Sequence, residues 1–155
     1  ASKHPGRTEN HLRMMLYSNT FTAIEVFLCD FLINAVIDDK SKLLNLVKEA
    51  KDFEAKPKIT DLIENNISAE EFAIEKIKTS SLHNLEKAAA YYKPTFKINF
   101  PNLGNLSAAL EERHDIVHRN GYKKDGSQLG VFTQDKVMDL VLDIQRLILE
   151  LLNRL

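Results

Sequence analysis

The run Arg113-His114-Asp115-Ile116-Val117-His118-Arg119-Asn120-Gly121 holds the densest set of chemically capable side chains in the sequence. An arginine precedes two histidines at short spacing. Arginine carries a permanent charge on a planar fork of donors that fits phosphate. Histidine takes and gives a proton near neutral pH. Together they can do phosphate chemistry without a metal. Asn120-Gly121 is a helix-stop signal, which puts the run at the C-terminal end of a helix.

Stepping about 100° per residue from Leu106 puts Leu110 near 40°, Val117 near 20° and Ala109 near 300°, an apolar stripe. Arg113 falls at roughly 340°, inside that stripe. A buried charge needs a partner, so Arg113 calls for a protein carboxylate or a bound anion. Glu25 is the expected carboxylate and Asp30 the second choice, because both interrupt the most hydrophobic helix. His114 and His118, near roughly 80° and 120°, are neighbours one turn apart that flank the stripe. A plain structural account of the same residues is an ion pair inside a bundle, with histidines favourable near a helix C-terminus. His-x-x-x-His is also a metal-ligand spacing. Asp115 stands where metalloprotease motifs have Glu, and His11 and His83 are isolated, so no metal site is expected.

The elements that must position these residues read as helices. Thr8 or Asn10 would cap a first helix running unbroken to Ile37, and from Phe21 onward almost every face is apolar, as in a central helix. A second helix spans Ser41 to about Lys56, stopped by Pro57. A short helical turn covers Ile59 to Asn66. Ser68-Ala69-Glu70-Glu71 is a capping box opening a helix that Thr79-Ser80-Ser81 bends or breaks before Leu82 to Tyr92. Pro94 to Asn105 reads as an extended loop pinned by aromatic residues. Asn105 or Ser107 caps the helix carrying the motif. Tyr122 to Gly130 is a polar loop, and Thr133 caps a last helix with a stripe of Val137, Leu140, Val141, Ile144, Leu147, Ile148, Leu151 and Leu155. Met138, Leu142, Leu149 and Leu152 on its opposite side are more apolar surface than a peripheral helix needs. The expectation is all-α: a single helical bundle of about five helices with one extended loop before the motif helix.

Bulk properties narrow the partners. The 155 residues suffice for one domain with a core, placed at 8–155, with 1–7 as a disordered tail or remnant outside the fold. A formal net charge of -1 argues against a general polyanion binder. Any nucleic-acid contact must use a local basic rim, for which Arg119, Lys123 and Lys124 are the candidates. Cys29 has no partner cysteine for an intramolecular disulfide and sits in an apolar run as a small core residue. Phe21 to Ile37 is interrupted by Glu25, Asp30 and Asn34, which reads as a buried helix rather than a membrane span. No signal peptide is visible, which makes the cytoplasm the expected location.

The Arg113-His114-x-x-x-His118 run, late in an all-α domain, resembles the signature of the HEPN superfamily: Arg, four to six residues, then His, usually with a polar residue after the Arg. Leu110-Glu111-Glu112 and Arg119-Asn120-Gly121 resemble the RiboL-PSP branch. Ala23-Ile24-Glu25-Val26-Phe27-Leu28 resembles the helix facing the motif in such proteins. The resemblance covers residues 8–155. It implies a metal-independent endoribonuclease without cofactors, acting on RNA as a homodimer whose motif helices form a composite site. Such domains serve in toxin–antitoxin, abortive-infection and other anti-phage defence systems, with an antitoxin or a further domain of a larger protein as partner. Carried over, Arg113 would hold the scissile phosphate and His118 would act as general acid or base. His114 would orient a reacting group or bind RNA. Glu25 would hold Arg113, with Asp30 and Asn120 as supporting residues. Products would end in 2′,3′-cyclic phosphate. Some toxins of the superfamily have Tyr two residues after the His, modified by a partner nucleotidyltransferase; Asn120 stands there in this chain, which argues against that mode of control. The alternative is a non-catalytic helical dimerisation or RNA-binding module of a larger defence protein. A metal-dependent hydrolase using His114 and His118 is the third reading.

Overall fold

The computed structural model describes residues 5–55 and 57–155. Among these the chain is all-α: α1 (Pro5–Asp38), α2 (Lys40–Glu49), a 3-10 turn (Lys51–Phe53), α3 (Ile59–Glu64), α4 (Ala69–Lys78), α5 (Leu85–Phe96), α6 (Leu106–Arg119) and α7 (Gln134–Leu152). The only extended pairing among the described residues is an isolated bridge between Tyr122 and Gln128. Seven helices stand among the described residues where about five were expected, for two reasons. The turn after Pro57 is a regular helix, α3. The segment 79–81 is a full break: the Thr79 and Ser80 hydroxyls bond back to the Glu75 and Lys76 carbonyls, and Asn84 caps a new helix by accepting from the Glu86 and Lys87 amides.

Other boundaries shift by recognisable chemistry. α1 starts at Pro5, so the expected tail at 1–7 is too long by the helical residues 5–7; residues 1–4, with His4, lie outside the described ones. Proline fits the first turn of a helix, where its missing N–H costs nothing. α2 ends at Glu49 rather than near Lys56, which also lies outside the described residues. The loop expected from Pro94 begins only at Lys97, because α5 runs through Pro94 to Phe96. A proline inside a helix forfeits a hydrogen bond and costs about 3 kcal/mol. An aromatic cluster offsets it: the Phe96 ring lies 5.1 Å from Tyr92 and 5.8 Å from Phe31, and Tyr92 meets Phe100 edge-on at 5.5 Å.

The expected single domain over 8–155 divides into two compact units: residues up to Ile24 with Pro101–Asn153, and Glu25–Phe100 with Arg154–Leu155. In the first, α6 packs on α7. Its core comprises Met14, Tyr17 and Phe21 of α1, Leu106, Phe132, and the α7 stripe Leu140, Ile144, Leu147 and Leu151. Asn10 Oδ1 accepts from the Phe132 amide at 2.7 Å, and Thr133 caps α7 by accepting from the Lys136 amide at 3.1 Å. In the second, α2 packs on α5, and the buried Tyr92 hydroxyl donates to the Leu28 carbonyl at 2.8 Å.

The latter part of α1 buries one stripe, Phe21, Ile24, Leu28, Leu32 and Val36, rather than every face. Val26 and Ile37 are exposed, and Cys29 is half-buried, its thiol pushed up by burial and then by Asp30 and Glu25. By length and apolar content alone α1 could cross a membrane.

Candidate functional site

The motif lies where expected, over the C-terminal half of α6, and α6 is a surface helix. Leu106 is its one fully buried residue; Leu110, Arg113 and Ile116 are half-buried, and Val117 is 49% exposed. The helix stops as its sequence dictates. Asn120 takes a left-handed conformation (φ 53°, ψ 36°), and its N–H and that of Gly121 (φ 85°) both donate to the Asp115 carbonyl.

Beyond the stop, the polar stretch is an ordered hairpin-like turn. The Lys123 amide donates to the Ser127 carbonyl at 2.8 Å, and Leu129 returns to Gly121 at 2.8 Å. Asp125 Oδ1 accepts from the Ser127 amide and hydroxyl, and these bonds hold its carboxyl below the usual carboxylate range. The turn presents Lys123 and Lys124 beside α6. With His114, Asp115, Arg119, Glu111 and Glu112 they line an open cleft of about 640 Å³.

The structure thus brings His114, Arg119, Lys123 and Lys124 together. Arg113 and His118 do not line that cleft. On one helix they stand roughly 140° apart, too far around to converge on one atom from a single chain. His118 is tied to the cleft through His114: the two rings lie 4.6 Å apart at 45°. Arg119 Nη1 donates to Asp115 Oδ1 and also to His114 Nδ1, the latter at 3.2 Å. The His114 pKa is pushed down, first by desolvation, then by His118, Arg119 and Lys124; Asp115 opposes them.

The expected partner of Arg113 is corrected. Glu25 Oε2 pairs instead with His83 Nδ1 at 3.1 Å. Asp30 is exposed and needs no partner. Arg113 Nε is buried, with no hydrogen-bond partner among the described residues. Of the alternatives that a stripe-facing arginine poses, a carboxylate partner or an anion, the carboxylate is not supplied by Glu25.

A network invisible to the motif surrounds the neighbouring position. Glu112 accepts from the Tyr17 hydroxyl at 2.8 Å and from Lys136 Nζ at 2.6 Å. Lys136 also sits over the Phe132 ring, 4.4 Å from its centroid. Burial, then the bond to Glu112, pushes the Tyr17 pKa far up, so Tyr17 stays a neutral donor. The network ties α6 to α1 and α7 and fixes the rotation of the motif helix. No sequence spacing marks it, because its members come from three separate segments. Among the described residues no group of three or more His, Cys, Asp or Glu is placed to hold a metal.

Comparison of the chain with protein-family models, with curated proteins and with solved structures finds no match.

Proposed function

We propose that the protein is a metal-independent endoribonuclease of the HEPN type, working as a homodimer in a toxin or anti-phage defence system. One observation carries this reading: the motif arginine has a buried Nε with no partner among the described residues, on a helix that also carries two exposed histidines. A locked Arg113–Glu25 pair would favour a purely structural role; Glu25 is engaged by His83 instead. A guanidinium without a protein anion is suited to a phosphodiester.

In this reading the RNA 2′-oxygen attacks the adjacent phosphorus and the P–O5′ bond breaks. The 2′-hydroxyl proton passes to a base and the 5′-oxygen takes a proton from an acid, leaving a 2′,3′-cyclic phosphate and a 5′-hydroxyl. Arg113 neutralises the charge that builds on the phosphoryl oxygens. His118 serves one of the two proton transfers, the other side of the site coming from the second chain. Arg119, Lys123 and Lys124 offer contacts to flanking phosphates. RNA, a second copy and an antitoxin or adjoining domain are the partners this implies, in the cytoplasm and away from membranes.

The alternative, a non-catalytic dimerisation or RNA-binding module, draws on the cleft's charge balance. Glu111, Glu112 and Asp115 line it alongside Arg119, Lys123 and Lys124. The deciding experiment is cleavage of end-labelled single-stranded RNA in excess EDTA. The parent should cut and leave cyclic-phosphate ends, and His118→Ala should lose at least about a hundredfold in rate. Absence of cutting at concentrations where the protein is dimeric would favour the binding module. Cutting abolished by EDTA would favour a metal hydrolase.

A further inference from the structure

We infer that Arg119 and Asp115 are positioning residues that lock His114 as a neutral imidazole with its proton on Nε2, which makes it a fixed hydrogen-bond donor rather than a second proton-transfer group. Its place in cleavage rests on the nuclease reading above; the locked tautomer does not.

A guanidinium has only N–H donors, so a ring nitrogen bonded to it must offer a lone pair. Arg119 Nη1 lies 3.2 Å from His114 Nδ1, so Nδ1 is unprotonated and the ring proton resides on Nε2. Arg119 is itself held, because the same Nη1 donates to Asp115 Oδ1 one helical turn back. The C-terminal stop at Asn120 ends α6 directly after Arg119 and fixes where that side chain starts.

Charge reinforces the lock. The groups around His114 are His118, Arg119, Asp115 and Glu111 on α6, and Lys123 and Lys124 on the hairpin. Asp115 is already paired with Arg119. Protonating His114 would place a cation against the Arg119 guanidinium and would break the bond at Nδ1. His118, with its ring 4.6 Å away, adds a further cost whenever it is protonated. The downward displacement of the His114 pKa agrees in direction. A neutral ring at His114 leaves the proton-transfer role to His118. His114 then presents one N–H, suited to a non-bridging phosphate oxygen or the 2′-oxygen.

The test uses the full chain and long-range proton–nitrogen NMR of the histidine rings, with no RNA present. The expected parent spectrum shows His114 as the Nε2–H tautomer, titrating below the ordinary histidine value. In Arg119→Gln, which removes the cation, the His114 midpoint should move up toward that value. An Nδ1–H tautomer in the parent, or a midpoint unmoved in Arg119→Gln, would overturn the lock whether or not the protein cuts RNA. The catalytic consequence is read separately. Glutamine can place an N–H near the position of imidazole Nε2. His114→Ala should lose roughly ten- to hundredfold in rate, the worth of one hydrogen bond to a charged group. His114→Gln should recover most of that loss, while His118→Gln recovers nothing relative to His118→Ala. Failure of His114→Gln to recover activity in a protein that does cut RNA would assign His114 a proton-transfer role and sink the donor assignment.

Discussion

Arg113 is the residue at which stability and function pull apart. Its buried Nε lacks a partner among the described residues, and an unsatisfied buried donor costs about 1–3 kcal/mol. Methionine has a similar unbranched stem and no donor. Arg113→Met should therefore be as stable as the parent or more stable, by up to about 1 kcal/mol in urea unfolding, while losing cleavage. A clear loss of stability would mean that the guanidinium is held by protein and is unavailable to RNA. Asp52 shows the opposite balance. It accepts from Lys87 at 2.9 Å and from the Tyr91 hydroxyl at 2.7 Å, and these bonds, the Lys87 one first, hold its carboxyl below the usual range. Tyr91 is pushed up to about 12, by burial first. Because the folded state favours the Asp52 carboxylate, its contribution is present above the ordinary value of about 4 and fades as pH falls through the lowered one. The melting-temperature gap between parent and Asp52→Asn should accordingly be open at pH 7 and close as the pH falls below about 4. Arg113, His114 and His118 were legible in the sequence because spacing alone puts them on one helix. The partners were not: the Glu25–His83 and Tyr17–Glu112 bonds join residues 58 and 95 positions apart, and no local pattern encodes such a choice.

Elements were legible wherever one side chain sets a boundary. The Ser68–Glu71 capping box is fully formed, with bonds of 2.7 and 3.0 Å, and Thr133 caps α7 as read. They were illegible where tertiary packing overrides a local signal, as at Pro94, which aromatic contacts carry inside α5. The α6 stop belongs to the first kind and can be tested there. Gly121 has φ 85°, and a Cβ on it would sit 2.8 Å from the Met14 methyl. Left-handed backbone costs a residue with a Cβ about 1–2 kcal/mol. Gly126 has a comparable φ of 82° with nothing within 4 Å. Gly121→Ala should thus destabilise by at least that backbone cost, and by more than Gly126→Ala. The excess reads how far Met14 must move, which should be little because its methyl is the end of a flexible side chain. Equal urea midpoints for the two variants would mean that Met14 yields freely; a smaller loss at Gly121 would contradict the close approach.

The whole molecule must explain why so much apolar surface stays open on α6 and α7. Val117 is 49% exposed on α6, and on α7 Leu142 and Leu149 are 49% and 63% exposed opposite the buried stripe. That outward face of α7 was anticipated from its residue pattern; the exposure of Val117 was not, because the helical stripe on which it falls reads as core. An exposed valine beside an arginine whose Nε has no partner among the described residues fits a helix that meets a second copy of itself. The wide angular separation of Arg113 and His118 on α6 points the same way, since each chain would supply one of the two groups to a shared site. Complementation tests this directly. Arg113→Met and His118→Ala should each be inactive alone. In a heterodimer of the two, one site keeps an intact arginine from one chain and an intact histidine from the other, while the second site loses both. Random mixing makes half of the molecules heterodimers, so the mixture should recover about a quarter of parental activity. Val117→Lys, which places charge on the exposed α6 face, should yield a folded monomer by light scattering and lose cleavage. Recovery in the mixture together with loss in Val117→Lys would establish a site built by two chains. A dimeric mixture that stays inactive, beside an active parent, would put both groups to work within a single chain and require α6 to rearrange before Arg113 and His118 could meet.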